Sequence, residues 1–111
     1  MTLLPTDIND NIIPALRLKD SGAHSIDVTA TAAENATAFD PKTRVISLYT
    51  TVPVYLAFGV SDTVTATSSD HYFPAGIYYD VAIGGDGSAQ TPYISALRAD
   101  TDGTLYISEK I

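Results

Sequence analysis

The chain has 111 residues, no cysteine, and 13 acidic against 6 basic side chains, for a net charge of −7. That length carries one domain with a single core, and the lack of cysteine excludes disulfides, thiol chemistry and Cys-based metal sites. Arg17, Lys19, Lys42, Arg44, Arg98 and Lys110 are scattered rather than clustered, so binding to a phosphate backbone is disfavoured and nucleic acid is not an expected partner.

Hydrophobic residues make up 45% of the chain and charged residues only 17%. The rest of the surface falls to Ser, Thr, Ala and Tyr. Such a surface suits neutral packing against another protein, and equally an ordinary uncharged β surface.

Residues 1–14 (MTLLPTDINDNIIP) have no basic leader region and no apolar run long enough for a signal peptide or a membrane span. The expectation is a mature chain that begins at Met1 and has no membrane partner. Pro5 and Pro14 oppose a helix, so the stretch reads as an extended N-terminal arm before a single domain over 15–111. Leu3, Leu4, Ile8, Ile12 and Ile13 would not stay free in water. They are candidate interface residues, or else part of an edge strand and loop against their own domain.

Residues 15–19 form a short strand candidate, and Asp20-Ser21-Gly22 has turn chemistry. Residues 25–31 (SIDVTAT) alternate, with Ile26, Val28 and Ala30 on one face, as a half-buried antiparallel strand requires. Residues 32–38 (AAENATA) read as a loop, with Phe39 plugging the core, and Asp40-Pro41 opens a turn. The following stretch, 43–83, holds most of the aromatic mass. Residues 43–51 and 54–59 are strands, and Pro53 marks the tight connection between them because proline cannot donate to a central ladder. In Val54-Tyr55-Leu56-Ala57-Phe58-Gly59 nearly every residue is apolar, the pattern of a strand covered on both faces.

Residues 60–71 (VSDTVTATSSDH) make a loop longer than usual, a kind that is often functional or interfacial. Tyr72-Phe73-Pro74-Ala75-Gly76 reads as a turn presenting its aromatic pair inward. Residues 77–83 form the next strand, with Tyr79, Val81 and Ile83 opposite Tyr78, Asp80 and Ala82. Residues 84–90 (GGDGSAQ) form a turn. Two further strands at 93–99 and 104–108 flank Asp100-Thr101-Asp102-Gly103, where Asp-Gly predicts a hairpin. With no βαβ alternation, the fold expected is all-β: an antiparallel β-sandwich or jelly roll of about seven to eight strands.

Candidate chemistry is sparse. Ser68, Ser69, Asp70 and His71 contain the letters of a catalytic triad, but adjacent residues on a loop rarely converge on one point. His71 is better read as a turn or subunit-contact residue. Asp100, Asp102 and Gly103 share the start of a calcium loop, whose bidentate Glu would fall at Ile111; a turn explains them, and explains Asp86 as well. Gly84-Gly85-Asp86-Gly87 lacks the following helix and Lys-Ser/Thr pair of a phosphate loop. No catalytic residue, metal or cofactor is expected. Among the 7 tyrosines, Tyr72, Tyr78 and Tyr79 could form a sugar-stacking platform, whereas the absence of tryptophan favours a protein interface.

One set of short segments occurs in a telling order: Thr43-Arg44-Val45-Ile46, Leu56-Ala57-Phe58-Gly59, Thr65-Ala66-Thr67-Ser68-Ser69-Asp70, Tyr72-Phe73-Pro74-Ala75-Gly76, and Gly103-Thr104-Leu105-Tyr106-Ile107-Ser108-Glu109. Over 35–109 this plan resembles a group of small proteins encoded among the structural genes of tailed bacteriophages. Residues 84–92 depart from the commoner compact turn of that group, and the arm at 1–14 has no counterpart in it. The resemblance implies a non-enzymatic virion protein made in the host cytoplasm, such as a capsid decoration (cement) protein. A head-fibre or tail component is the other location it implies. The implied partners are further copies of itself, a trimer among the closed forms, and the major capsid protein. It carries over no catalytic residue. The alternative function is a carbohydrate-binding or adhesion module using exposed tyrosines.

Overall fold

A computed structural model describes residues 8–9, 17–84 and 89–110. Its strands are β1 (Leu18–Val28), β2 (Ala33–Glu34), β3 (Val45–Thr50), β4 (Val54–Gly59), β5 (His71–Phe73), β6 (Tyr78–Ala82), β7 (Tyr93–Arg98) and β8 (Gly103–Lys110), and no helix occurs among the described residues. They form two four-stranded sheets, ordered β1-β8-β3-β6 and β2-β7-β4-β5. Every pairing is antiparallel.

The order has a simple origin. Strands β1 and β8, β2 and β7, β3 and β6, and β4 and β5 pair as one nested ribbon about the β4–β5 connection. Folding that ribbon over itself lays β8 on β3 and β7 on β4. This is the eight-stranded jelly roll, so strand order selects between the two all-β alternatives that composition leaves open.

Alternation of side chains sends Ile46, Leu48, Leu105 and Ile107 of the first sheet inward, to meet Val54, Leu56, Ile94 and Ala96 of the second. Burying a side chain of this size stabilises the fold by about 1.5–3 kcal/mol. Phe39 is 2% exposed and closes one side of this core from its loop, as its place in the sequence predicts.

Several local expectations are corrected. Asp20-Ser21-Gly22 does not end a strand. It lies within β1 as an irregularity, with the register shifting between Leu18 and Ala23. Ser21 takes a φ of 60°, the left-handed conformation that turn-forming residues tolerate and bulges use. Strand β1 stops at Val28, where Thr29 Oγ1 accepts a bond from Thr31 N at 3.2 Å. The alternation ends there, and Ala30 is exposed rather than inward. A two-residue strand, β2, occurs inside the stretch read as a loop.

The predicted hairpin at 100–103 is an arch instead. Strand β7 lies between β2 and β4, and β8 lies between β1 and β3, so neither has a free edge for the other. Tyr72 and Phe73 also part company: Phe73 packs on the core while Tyr72 faces out. His71 belongs to β5, which shortens the long loop to 60–70.

That loop is tied down on the second sheet. Ser95 Oγ accepts a bond from Ala66 N at 2.9 Å, and Ser95 and Ala66 are both buried. A Cβ at Gly59 would stand 2.6 Å from Val64 Cβ. Gly59→Ala is therefore expected to push the loop off the sheet and destabilise the protein by about 1–3 kcal/mol. Thermal unfolding measures this; a variant as stable as the parent would show that the loop yields freely.

Candidate functional site

The outer face of the first sheet carries the main concentration of exposed aromatic surface. The same alternation that points Leu48 and Ile107 inward points Tyr49, Tyr106 and Tyr78 outward. Cross-strand register then sets Ser25, Tyr106, Tyr49 and Tyr78 in one row across β1, β8, β3 and β6. The Tyr49 and Tyr78 rings lie 5.0 Å apart at 40°. Tyr78 is 74% exposed and Tyr106 52% exposed, while Tyr49 is half-buried between them.

The next row reads Ala23, Ser108, Ser47 and Asp80. Asp80 Oδ1 accepts bonds from Ser47 Oγ at 2.7 Å and Lys110 Nζ at 2.9 Å. The Ser47 hydroxyl, then the Lys110 ammonium, hold the Asp80 carboxyl below its ordinary range against the opposing effect of burial. Leu18, Ser47, Tyr78, Asp80, Ser108 and Lys110 frame a shallow hollow of about 350 Å³, at the lower end of ligand-pocket sizes.

The candidate residues read from the sequence do not gather in one place. Tyr72 is 54% exposed on the outer face of the second sheet, its ring 5.7 Å from that of Tyr55. Tyr79 points into the sandwich, edge-on to Phe73 at 5.0 Å, against the core. A single platform of Tyr72, Tyr78 and Tyr79 is therefore ruled out, because their strands place them on two opposite faces and in the interior. His71 is exposed opposite Leu56. The neighbouring Asp70 carboxylate accepts bonds from Thr67 N at 2.7 Å and Thr67 Oγ1 at 3.2 Å, which closes a turn. Ile8 is 98% exposed, whereas Leu3, Leu4, Ile12 and Ile13 lie outside the described residues, as does Asp86.

Sequence reasoning missed the main buried polar cluster. Glu109 is 3% exposed at the inner end of β8. Its Oε1 accepts bonds from Thr43 Oγ1 at 2.6 Å and Asp40 N at 2.8 Å, and its Oε2 lies 2.8 Å from His24 Nε2. Burial pushes the carboxyl up, but the bonds from His24, Thr43 and the Asp40 amide outweigh it and set Glu109 below its ordinary value. The His24 ring meets Phe39 edge-on at 5.0 Å, and Gln90 Nε2 donates to the carbonyls of Asp40 and Thr43 at 2.7 Å each. This knot ties the 39–43 loop to β1 and β8. The only signal for it in the sequence is Glu109 itself, an acid continuing the inward positions of Leu105 and Ile107.

Asp102 is engaged by Arg98 at 2.6 Å, and among the described residues no group of three or more His, Asp or Glu could hold a metal ion. No helix among them is long and apolar enough to cross a membrane. Comparisons with protein-family models, with characterised proteins and with solved structures each found no match to this chain.

Proposed function

We propose that this protein is a non-enzymatic structural component of a tailed-phage virion, a capsid decoration protein that acts through protein–protein contacts. The observation that carries the reading is the outer face of the first sheet. It carries the exposed Tyr106, Tyr78 and Leu18 and the half-buried Tyr49 around the paired charges of Asp80 and Lys110, and surfaces rich in tyrosine are of the kind that protein interfaces favour. The jelly roll, a fold of viral capsid and lectin domains among others, is in keeping with the reading. The segments that resemble phage structural proteins lie at the start of β3, the end of β4, the tied loop, β5 with its turn, and β8.

Particles purified from the encoding phage should contain the protein in copy numbers comparable to the major head protein, as read by quantitative mass spectrometry. Its absence from particles would overturn the proposal. Deleting residues 1–14 is expected to abolish particle binding or self-association, measured by co-sedimentation and light scattering, while leaving the domain folded. Unchanged binding would remove the arm from the mechanism.

A second reading, carbohydrate binding or adhesion, is favoured by a separate observation: exposed tyrosine rings stand beside a charged and hydroxyl-bearing hollow on the same face.

A further inference from the structure

We propose that the hollow on the outer face of the first sheet binds a hexopyranose unit of a glycan, with Tyr78 as the stacking surface and Asp80, Lys110 and Ser108 as the hydroxyl-recognising groups. The site rests on the carbohydrate reading, and it requires that Tyr78 and the hollow be left uncovered by any protein packed on the first sheet.

A pyranose ring presents an apolar face of C–H groups and a rim of hydroxyls, each both donor and acceptor. Recognition therefore needs a flat apolar surface flanked by fixed donors and acceptors at short range. Tyr78 supplies the surface, with its ring steadied by Tyr49 at 5.0 Å. Asp80 supplies the acceptor. Its Oδ1 is engaged by Ser47 and Lys110, which orients the carboxylate, while its Oδ2 accepts no hydrogen bond among the described residues and the side chain is 62% exposed. Lys110 gives one N–H to Asp80 and retains two further donors. The Ser108 hydroxyl lines the same hollow and makes no side-chain hydrogen bond among the described residues.

The pairing of charges selects against other ligands. Lys110 Nζ lies 2.9 Å from Asp80 Oδ1, so the hollow offers neither the net positive charge that a phosphate or sulfate needs nor the several free carboxylates that a divalent cation needs. A neutral polyol uses both charges at once, one as donor and one as acceptor, and charge-assisted hydrogen bonds are the stronger kind. The second sheet makes the contrast: Tyr72 and Tyr55 form an aromatic pair there, and among the described residues neither tyrosine has a carboxylate–ammonium pair on its own row of the sheet.

Two-dimensional NMR of the full chain, titrated with methyl glycosides of glucose, galactose and N-acetylglucosamine, tests the site. At least one sugar should give saturable shifts confined to residues around Tyr78, Asp80 and Ser108, with an affinity near ~1 mM. Tyr78→Ala should abolish those shifts, and Asp80→Asn should weaken binding about tenfold or more. Tyr72→Ala, on the opposite face, should leave binding unchanged. Unperturbed backbone shifts elsewhere will show that each variant is folded. Absence of saturable shifts with all of the sugars, or shifts that persist in Tyr78→Ala, would overturn the proposal. Detection of the protein in virions would stand or fall separately.

Discussion

Glu109→Ala is expected to destabilise the protein by about 3–5 kcal/mol, because it strips a buried carboxylate from three partners at once. The Thr43 hydroxyl, the Asp40 amide and the His24 imidazole would each lose their bond inside the protein, and the 39–43 loop would lose its anchor on β8. Each kcal/mol shifts the midpoint of a domain of this size by about 4–8 °C, so calorimetry should record a large fall. Glu109→Gln keeps the shape but loses the charge-assisted bonds, and is expected to cost about 1–3 kcal/mol.

The pH dependence follows from the same group. Its carboxyl sits below the ordinary value of 4.5 in the folded state. Stabilisation from such a group is fully present above the unfolded-state value and is lost as pH falls through the folded value. The parent should therefore lose stability on acidification below about pH 5, and the slope should be shallower in Glu109→Gln. Equal slopes in the two proteins would mean that other carboxylates govern acid unfolding.

Phe39→Ala is expected to cost about 3–5 kcal/mol, the range for deleting a fully buried aromatic side chain. Phe39 is 2% exposed and reaches the core from a loop rather than a strand. Part of its effect should run through the neighbouring polar knot, since its ring supports His24 and its own amide donates to Pro92 O at 3.1 Å. The double variant Phe39→Ala, Glu109→Ala should lose less than the sum of the two single losses, by about 0.5–3 kcal/mol. Strict additivity in urea unfolding would show that loop and knot act independently.

The parts of this protein that its sequence by itself determined are those that depend on near neighbours in the chain. Alternation in Val45–Thr50 specified that strand, since a pleated strand repeats every two positions whatever lies beside it, and the apolar run specified Val54–Gly59 as the next. Cover on both faces of Val54–Gly59 did not follow, because only Val54 and Leu56 are fully buried. Pro53 and the Asp-Gly at 102–103 marked where chain segments must end. Phe39 announced itself as a core plug because a lone large apolar residue in a polar loop has nowhere else to go.

Only the tertiary structure decided which strands pair, and everything functional follows from pairing. Asp-Gly at 102–103 has hairpin chemistry, yet it became an arch once β3 and β4 took the edges that a hairpin would use. Tyr72, Tyr78 and Tyr79 lie close in sequence but were separated, because a strand alternates faces and β5 and β6 belong to different sheets. Tyr49, Tyr78 and Tyr106 lie far apart in sequence and were gathered, because β3 sits between β6 and β8 in matching register. The Glu109 knot needed the same convergence: His24 meets it where β1 pairs with β8, and Asp40 and Thr43 meet it where the chain leading into β3 pairs with β8. Local patterning encodes which face a side chain takes, while long-range antiparallel register determines which side chains share that face.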